Sequence, residues 1–138
     1  MSEKETVADD TKKTAKILCI EDEDGMRDLL RLILEAAGYT YVDARDGAEG
    51  LEKIRSEDPD LILLDLMLPS VDGAEVLLRK QKDPAIRNIP VIAVTALASP
   101  FDQIMWKRRT EIEDYITKPF VRKDLLETIE RVLAARTN

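Results

Sequence analysis

Four short, mostly apolar segments of the sequence each end in side chains that could bind a metal ion or an anion. The segments cover residues 16–20, 61–64, 90–94 and 114–117. The side chains at their ends belong to Glu21, Asp22, Asp65, Thr95 and Lys118. Carboxylate oxygens bind hard divalent cations, whereas an ammonium or a hydroxyl donates hydrogen bonds to an anion. The combination is suited to chemistry on an anionic group held beside a metal ion.

These side chains can meet if the four segments are neighbouring strands. The segments lack polar alternation, which predicts strands covered on both faces, as in the middle of a parallel sheet. In open α/β sheets the ligand crevice lies beyond the carboxyl ends of the strands. We therefore expect all five side chains at one edge of the sheet. An isolated Asp in the position of Asp65 more often caps the next turn, but the other three segments favour a site.

Three carboxylates at one edge predict a bound cation. Two like charges about 4 Å apart cost roughly 4 kcal/mol at an effective dielectric constant of about 20. A cation is therefore expected among Glu21, Asp22 and Asp65. The chain contains no His, and a ligand set made only of oxygen atoms suits Mg²⁺. Lys118 and Thr95 would remain available to hold the anion.

As a set, these residues closely resemble the receiver domain of bacterial two-component response regulators, of the stand-alone type. The resemblance covers residues 16 to about 135. Its motifs are Glu21-Asp22-Glu23, Asp65 with Pro69 and Asp72-Gly73, Thr95-Ala96, Tyr115, and Lys118-Pro119-Phe120. It implies a receiver domain at 15–138 with a flavodoxin-like, doubly wound α/β fold. Such a fold has a five-stranded parallel sheet in the order 2-1-3-4-5, with helices on both faces.

The resemblance also assigns roles at the site. Asp65 would accept a phosphoryl group from a histidine kinase or a histidine phosphotransfer protein. Asp22 and Asp65 would bind Mg²⁺ directly with the backbone carbonyl of Met67, and Glu21 would contribute through water. Lys118 would pair with the phosphoryl oxygens. Receiver domains also have a cis peptide bond before the proline that follows this lysine, so a cis bond is expected here.

A conformational switch is implied by Thr95 and Tyr115. Thr95 would move toward the bound phosphoryl group and vacate space, which would let Tyr115 rotate inward. This would change the face made by the fourth helix, the last strand and the last helix. The changed face would bind an unidentified protein target, or a second copy of the chain in a phosphorylation-dependent homodimer.

The lifetime of the phosphorylated state is expected to depend on Met67 and Leu97. In receiver domains the side chains at these positions flank the path of the water that hydrolyses the acyl phosphate. Both are apolar here and cannot orient a water molecule, which predicts slow self-dephosphorylation. The resemblance also implies that the protein is not an enzyme that turns over a separate substrate. The alternative is that both side chains only pack against their loops.

Two apolar features of predicted helices could contact partners. The first helix, about 26–37, has two apolar stripes. One stripe consists of Leu29, Leu32, Ile33 and Ala36, and the other of Met26, Leu30 and Leu34. We interpret the second stripe as a docking patch for the phosphodonor, unless neighbouring loops cover it. In the fourth helix, Trp106 lies off the apolar face and would contact a partner, unless it is partly buried.

Composition argues against a nucleic-acid-binding protein and against a membrane-spanning one. The 138 residues carry a formal net charge of -7, which argues against a nucleic-acid surface. No apolar segment approaches the length of a membrane span, and no signal peptide is recognisable. The single cysteine, Cys19, lies in an apolar segment, as expected for a core residue in the cytoplasm. Residues 1–14 are polar and without periodicity, which predicts a flexible tail.

Two other functions are compatible with parts of the pattern. A phosphohydrolase of the haloacid dehalogenase type also ends an apolar strand in Asp, but it has a second Asp two residues later, where this chain has Met67. A binding module could keep the fold and act without phosphate. The chain also departs from the receiver pattern at Glu111-Ile112, where a Gly-Ala turn is common, and this puts the segment after the fourth helix in doubt.

Overall fold

Strands and helices alternate along the chain. The computed structural model describes residues 14–68, 71–96, 99–108 and 111–137. The strands in these ranges are β1 Lys16–Ile20, β2 Thr40–Ala44, β3 Leu61–Leu64, β4 Val91–Thr95 and β5 Asp114–Thr117. The helices are α1 Asp24–Ala36, α2 Gly47–Glu57, α3 Gly73–Gln81, α4 Pro100–Lys107 and α5 Arg122–Thr137. Apart from Thr14, the predicted tail at 1–14 lies outside the described residues.

The strands form one parallel sheet in the order β2-β1-β3-β4-β5, which confirms the predicted topology. β1 pairs with both β2 and β3, so the direction of winding reverses between β1 and β3. Ligands of open α/β sheets bind at such a point. The β1–β3 register pairs Ile20 with Leu64. The next residues, Glu21 and Asp65, therefore emerge side by side at the carboxyl edge.

Apolar residues fill both sides of the sheet. All four residues of β3 are buried, because alternate side chains point toward opposite helical layers. Ile62 and Leu64 pack in a cluster with residues of α2 and α3. Leu61 and Leu63 pack in a second cluster with residues of α1 and α5. Each buried aliphatic side chain contributes about 1.5–3 kcal/mol, so the strand that ends at Asp65 is firmly anchored.

The orientation of α1 differs from the prediction. Leu30 and Leu34 are 2% and 0% exposed, and Met26 is half-buried against the same cluster. The interpretation of this stripe as a docking patch is therefore wrong for Leu30 and Leu34. In the other stripe, Leu29 and Leu32 are 42% and 69% exposed, but Ile33 is only 7% exposed. The face toward the sheet therefore combines residues of both stripes, and the similarly apolar stripes of the sequence did not reveal this.

Two other helical side chains, one charged and one aromatic, are withdrawn from solvent. Lys80 is only 2% exposed although it is charged, and its Nζ donates to the Arg87 carbonyl oxygen at 2.8 Å. Trp106 is half-buried against the cluster that contains Ile112 and Tyr115, which matches the alternative reading of this residue. No helix of the described residues is long and apolar enough to span a membrane.

The loop after β3 lies against α2. A Cβ atom added to Gly47 would fall 2.0 Å from the Val71 carbonyl oxygen, so only glycine permits this approach. Asp46 and Asp72 cap α2 and α3 by accepting hydrogen bonds from the backbone N–H groups of the third helical residues. These contacts fix the start of α3, and with it one end of the loop that follows Asp65.

Candidate functional site

The carboxyl edge of the sheet brings the predicted site residues together. Glu21 and Asp22 follow β1, Asp65 follows β3, Thr95 ends β4 and Lys118 follows β5. Backbone hydrogen bonds hold these ends in register: Asp65 N–H donates to the Ile20 carbonyl at 3.1 Å, and Lys118 N–H to the Thr95 carbonyl at 2.9 Å. The residues therefore occupy positions fixed by the sheet ladder.

An acidic cluster is present as predicted. One carboxylate oxygen from each of Glu21, Asp22 and Asp65 lies within 4.8 Å of the others. Glu21 and Asp65 are 2% and 6% exposed, whereas Asp22 is exposed to solvent. Met67 N–H donates to Asp65 Oδ1 at 2.9 Å, which brings the main chain after Asp65 back to this carboxylate. An all-oxygen cluster open on the Asp22 side fits a hydrated Mg²⁺.

Lys118 bridges two of these carboxylates. Its Nζ lies 2.5 Å from Glu21 Oε1 and 3.1 Å from Asp65 Oδ2. The Lys118-Pro119 peptide bond is cis, as predicted. Burial by itself lowers the pKa of Lys118, but the hydrogen bonds to Glu21 and Asp65 outweigh burial and raise this pKa. The ammonium is therefore charged at neutral pH and faces the predicted acceptor.

Burial shifts the pKa of Glu21 upward, whereas it acts to lower that of Lys118. Desolvation raises the pKa of its carboxyl group, and the hydrogen bond from Lys118 only partly offsets this effect. Its second oxygen, Oε2, accepts a hydrogen bond from Glu23 N–H at 3.1 Å. Both carboxylate oxygens of Glu21 therefore already have protein partners, whereas no hydrogen bond or ion pair to the described residues holds the Asp22 carboxylate.

Thr95 presents an unsatisfied donor. Its Oγ1 is buried without a hydrogen-bond partner, and it is the one such side-chain atom among the described residues. An unpaired buried hydroxyl costs about 1–3 kcal/mol and calls for an explanation. The β3–β4 register places Thr95 one residue beyond the level of Asp65. An anionic ligand near Asp65 would supply the missing acceptor.

The other predicted residues are less closely tied to the site. Tyr115 is 8% exposed and belongs to the same core cluster as Ile112; its role in a switch stays a prediction. Met67 is 56% exposed at the rim of the acidic cluster. Leu97 lies outside the described residues, as does Pro69.

Sequence reasoning missed Arg27. Its guanidinium is buried at the end of β1 and donates to the Glu21 carbonyl oxygen at 2.8 Å. The signal in the sequence is a charged residue at helical spacing with Leu30 and Leu34, on a face that is otherwise apolar. A buried charge needs partners, so this pattern could have predicted a polar contact at the base of α1.

Known proteins resemble this chain in sequence and structure. The family described as "Response regulator receiver domain" matches residues 17–130. The polar-differentiation response regulator DivK of Brucella ovis is 40% identical over 120 residues, which cover 87% of this chain and 97% of DivK. The alkaline phosphatase synthesis transcriptional regulatory protein PhoP of Bacillus subtilis is 39% identical over 120 residues. That match covers 86% of this chain and 48% of PhoP, so the chain spans about half the length of PhoP.

A solved structure shows the same likeness. The receiver domain of the sensor histidine kinase PA1611 from Pseudomonas aeruginosa has a magnesium ion coordinated in its active-site cleft. It superposes on this chain with a TM-score of 0.79 at 27% sequence identity, over 88% of this chain and 98% of that domain. The likeness therefore extends over nearly the whole of that domain.

Proposed function

From the premise that the chain belongs to the response regulator receiver domain family, we propose that it is a phospho-acceptor switch whose acceptor is Asp65. The observation that carries this proposal is the 3.1 Å contact between Lys118 Nζ and Asp65 Oδ2 inside the acidic cluster. This contact places a carboxylate nucleophile, that of Asp65, beside the positive charge of the Lys118 ammonium. Receiver domains generally signal and do not turn over a separate substrate, and they take phosphoryl groups from histidine kinases or phosphotransfer proteins.

The transfer requires charge neutralisation and alignment. A phosphohistidine donor would place its phosphorus in line with Asp65, whose carboxylate forms the new P–O bond as the P–N bond breaks. Lys118 would exchange its contact with Glu21 for the phosphoryl oxygens, and Thr95 Oγ1 would donate to one of them. Mg²⁺ held by Asp22, Asp65 and the Met67 carbonyl, with Glu21 acting through water, would neutralise charge on the phosphoryl oxygens.

Thr95 would transmit the effect of phosphorylation from the site to the surface of the domain. Movement of its hydroxyl toward the phosphoryl group favours the inward position of Tyr115, and this reshapes the surface of α4, β5 and α5. A protein target or a second copy of the chain would bind that surface. Met67 and Leu97 would limit access of water to the acyl phosphate, so the signal would decay slowly. A cytoplasmic location of the protein also stays a prediction.

Intact mass spectrometry tests the acceptor. Incubation with acetyl phosphate and Mg²⁺ should add one phosphoryl group to the protein, and Asp65→Asn should abolish the addition. Asp28→Asn, which changes an exposed carboxylate of α1, is the matched control and should be phosphorylated normally. An adduct that persists in Asp65→Asn would exclude Asp65 as the acceptor. No adduct on the parent protein would favour a phosphate-independent binding module, and continuous release of phosphate would favour a hydrolase.

A further inference from the structure

Arg27 is a buried cation in the second turn of α1. Its side chain is 11% exposed, and it shares the sheet-facing side of the helix with Leu30 and Leu34. Burying a charge at an otherwise apolar position is strongly unfavourable unless the charge is paired and hydrogen-bonded. The partners of the guanidinium therefore indicate what the residue does.

Those partners lie on three different segments. Nη1 donates to the backbone carbonyl of Glu21 at 2.8 Å, at the end of β1. Nη2 pairs with Asp24 in the first turn of α1, and Nε lies 3.8 Å from Asp43 Oδ2 on β2. A planar guanidinium can serve several acceptors at once, which a lysine ammonium on a flexible stem cannot do with the same geometry.

A second set of contacts supports Arg27. The Tyr41 hydroxyl lies 3.0 Å from both the Arg27 carbonyl oxygen and Asp43 Oδ2. Arg31 lies 3.8 Å from Asp43 Oδ2, and its guanidinium is 5.2 Å from the centre of the Tyr41 ring. Asp43 is therefore held from several sides, which makes it a firm support for the Arg27 side chain.

The bond to the Glu21 carbonyl bears on Asp22. That carbonyl belongs to the peptide group joining Glu21 to Asp22. The preceding peptide group is held separately, because Glu21 N–H donates to the Ala44 carbonyl at 3.0 Å. Because no described side chain holds the Asp22 carboxylate, its position depends on the main chain that carries it. The hydrogen bond from Arg27 to the Glu21 carbonyl comes from a side chain and can be removed by substitution.

We propose that Arg27 is a positioning residue for the metal site. Its guanidinium orients the Glu21–Asp22 peptide so that the Asp22 carboxylate points at the cation. This role rests on the proposed function, because it concerns the cation that phosphotransfer to Asp65 requires. It requires the fork of the guanidinium in addition to its charge, so Arg27→Lys should not replace it.

Mg²⁺ binding measured by calorimetry without a phosphodonor tests the role. Removing groups that orient metal ligands typically weakens metal binding by about 10–100-fold. For Arg27→Lys and Arg27→Gln we expect about tenfold weaker binding, near the lower end of that range. The Mg²⁺ concentration needed for half-maximal phosphorylation should rise equally, while the rate at saturating Mg²⁺ changes little. Arg31→Gln is the matched control, because Arg31 shares Asp43 and Tyr41 with Arg27 but makes no contact with Glu21.

Two results would overturn the proposal: parental Mg²⁺ affinity in Arg27→Lys, or an equal loss in Arg31→Gln. Circular dichroism would establish that each variant is folded. If Arg27→Lys does not fold, Tyr41→Phe decides, since it removes one support without changing charge and should weaken Mg²⁺ binding less than tenfold. Parental affinity in that variant would then reject the role. Weakened Mg²⁺ binding in Arg27→Lys with an unphosphorylatable parent would reject the proposed function alone.

Discussion

Lys118 Nζ lies closer to Glu21 Oε1 than to Asp65 Oδ2, at 2.5 Å against 3.1 Å. Glu21 thus holds the lysine beside the acceptor Asp65. The ammonium in turn neutralises the negative charge of two carboxylates that are almost fully buried. In the proposed reaction the same ammonium stabilises the transferred phosphoryl group. It therefore has both a structural and a chemical role, which substitution can separate.

Replacing Lys118 by Met should slow phosphorylation by acetyl phosphate about 10²–10³-fold, the usual cost of losing one donor that stabilises transition-state charge. It should also lower the free energy of unfolding, because Glu21 and Asp65 lose their shared cation. Rates from mass spectrometry and urea unfolding would measure the two effects. Lys123→Met, at an exposed position of α5, should change neither. An unchanged rate in Lys118→Met would contradict the assigned contact.

Asp22→Ala should abolish Mg²⁺-dependent phosphorylation and leave the fold intact. The substitution removes an exposed carboxylate from a repulsive cluster, so the melting temperature in the absence of Mg²⁺ should stay equal or rise. A Mg²⁺ titration followed by Trp106 fluorescence and circular dichroism would test both points. Phosphorylation at the parental level would exclude Asp22 as a metal ligand. Asp28→Ala controls for the loss of one acidic charge from α1.

Lys80→Met should stabilise the protein at pH 7 by about 1 kcal/mol, since an apolar side chain avoids the cost of burying an ammonium. Burial lowers the pKa of Lys80 to about 8 against an ordinary value of 10.5, although Glu113 and Glu111 act in the other direction. Below pH 8 the lysine is charged in both the folded and unfolded states. Between about pH 8 and 10.5 only the unfolded state keeps the proton, so the stability of the parent protein should rise relative to the variant.

Urea unfolding of both proteins from pH 7 to 10 would measure this difference. The stabilising effect of Lys80→Met should shrink as the pH rises above 8. Lys82→Met, at the exposed end of α3, should show no such trend. An advantage that stays constant with pH would mean that the Lys80 ammonium is not destabilised by burial.

Met67→Asn should shorten the lifetime of the phosphorylated protein. An amide at this exposed position can orient water, and a barrier lower by about 1.4 kcal/mol corresponds to about tenfold faster hydrolysis. Decay of the adduct after removal of the donor, at matched Mg²⁺ concentration, would give the rate. Addition of Leu97→Glu should increase it further. Leu78→Asn, at an exposed apolar position on α3, is the control and should not change the rate. If Met67→Asn decays at the parental rate, Met67 does not control the lifetime of the phosphorylated state.

The sheet and the site were predictable because their signals are local. Unalternated apolar strands indicate a parallel sheet, and the residue that follows each strand lies at its carboxyl edge. This is sufficient to bring Glu21, Asp65 and Lys118 together once the strand order is known. The order itself, and the cis bond before Pro119, came from resemblance to a family.

The errors arose where local patterns were ambiguous or hid a tertiary contact. α1 has two apolar stripes, and its buried face combines Leu30 and Leu34 of one with Ile33 of the other. Arg27 lies on the same side and reaches the end of β1, which is a contact that helical spacing alone does not reveal. Lys80 is buried despite its charge, because the loop carbonyl of Arg87 provides a partner for the ammonium at the end of its long side chain.

The bond between Lys118 and Glu21 joins residues 97 positions apart in the chain. Contacts between such distant residues close large loops and are entropically costly to form before the intervening strands have paired. A partly folded chain that lacks β5 would have Asp65 and the acidic cluster but not the lysine beside them. On the proposed function, rapid acceptance of a phosphoryl group is therefore expected only of the completely folded molecule. The phosphorylated fraction at saturation would measure how much of a preparation has reached the native state.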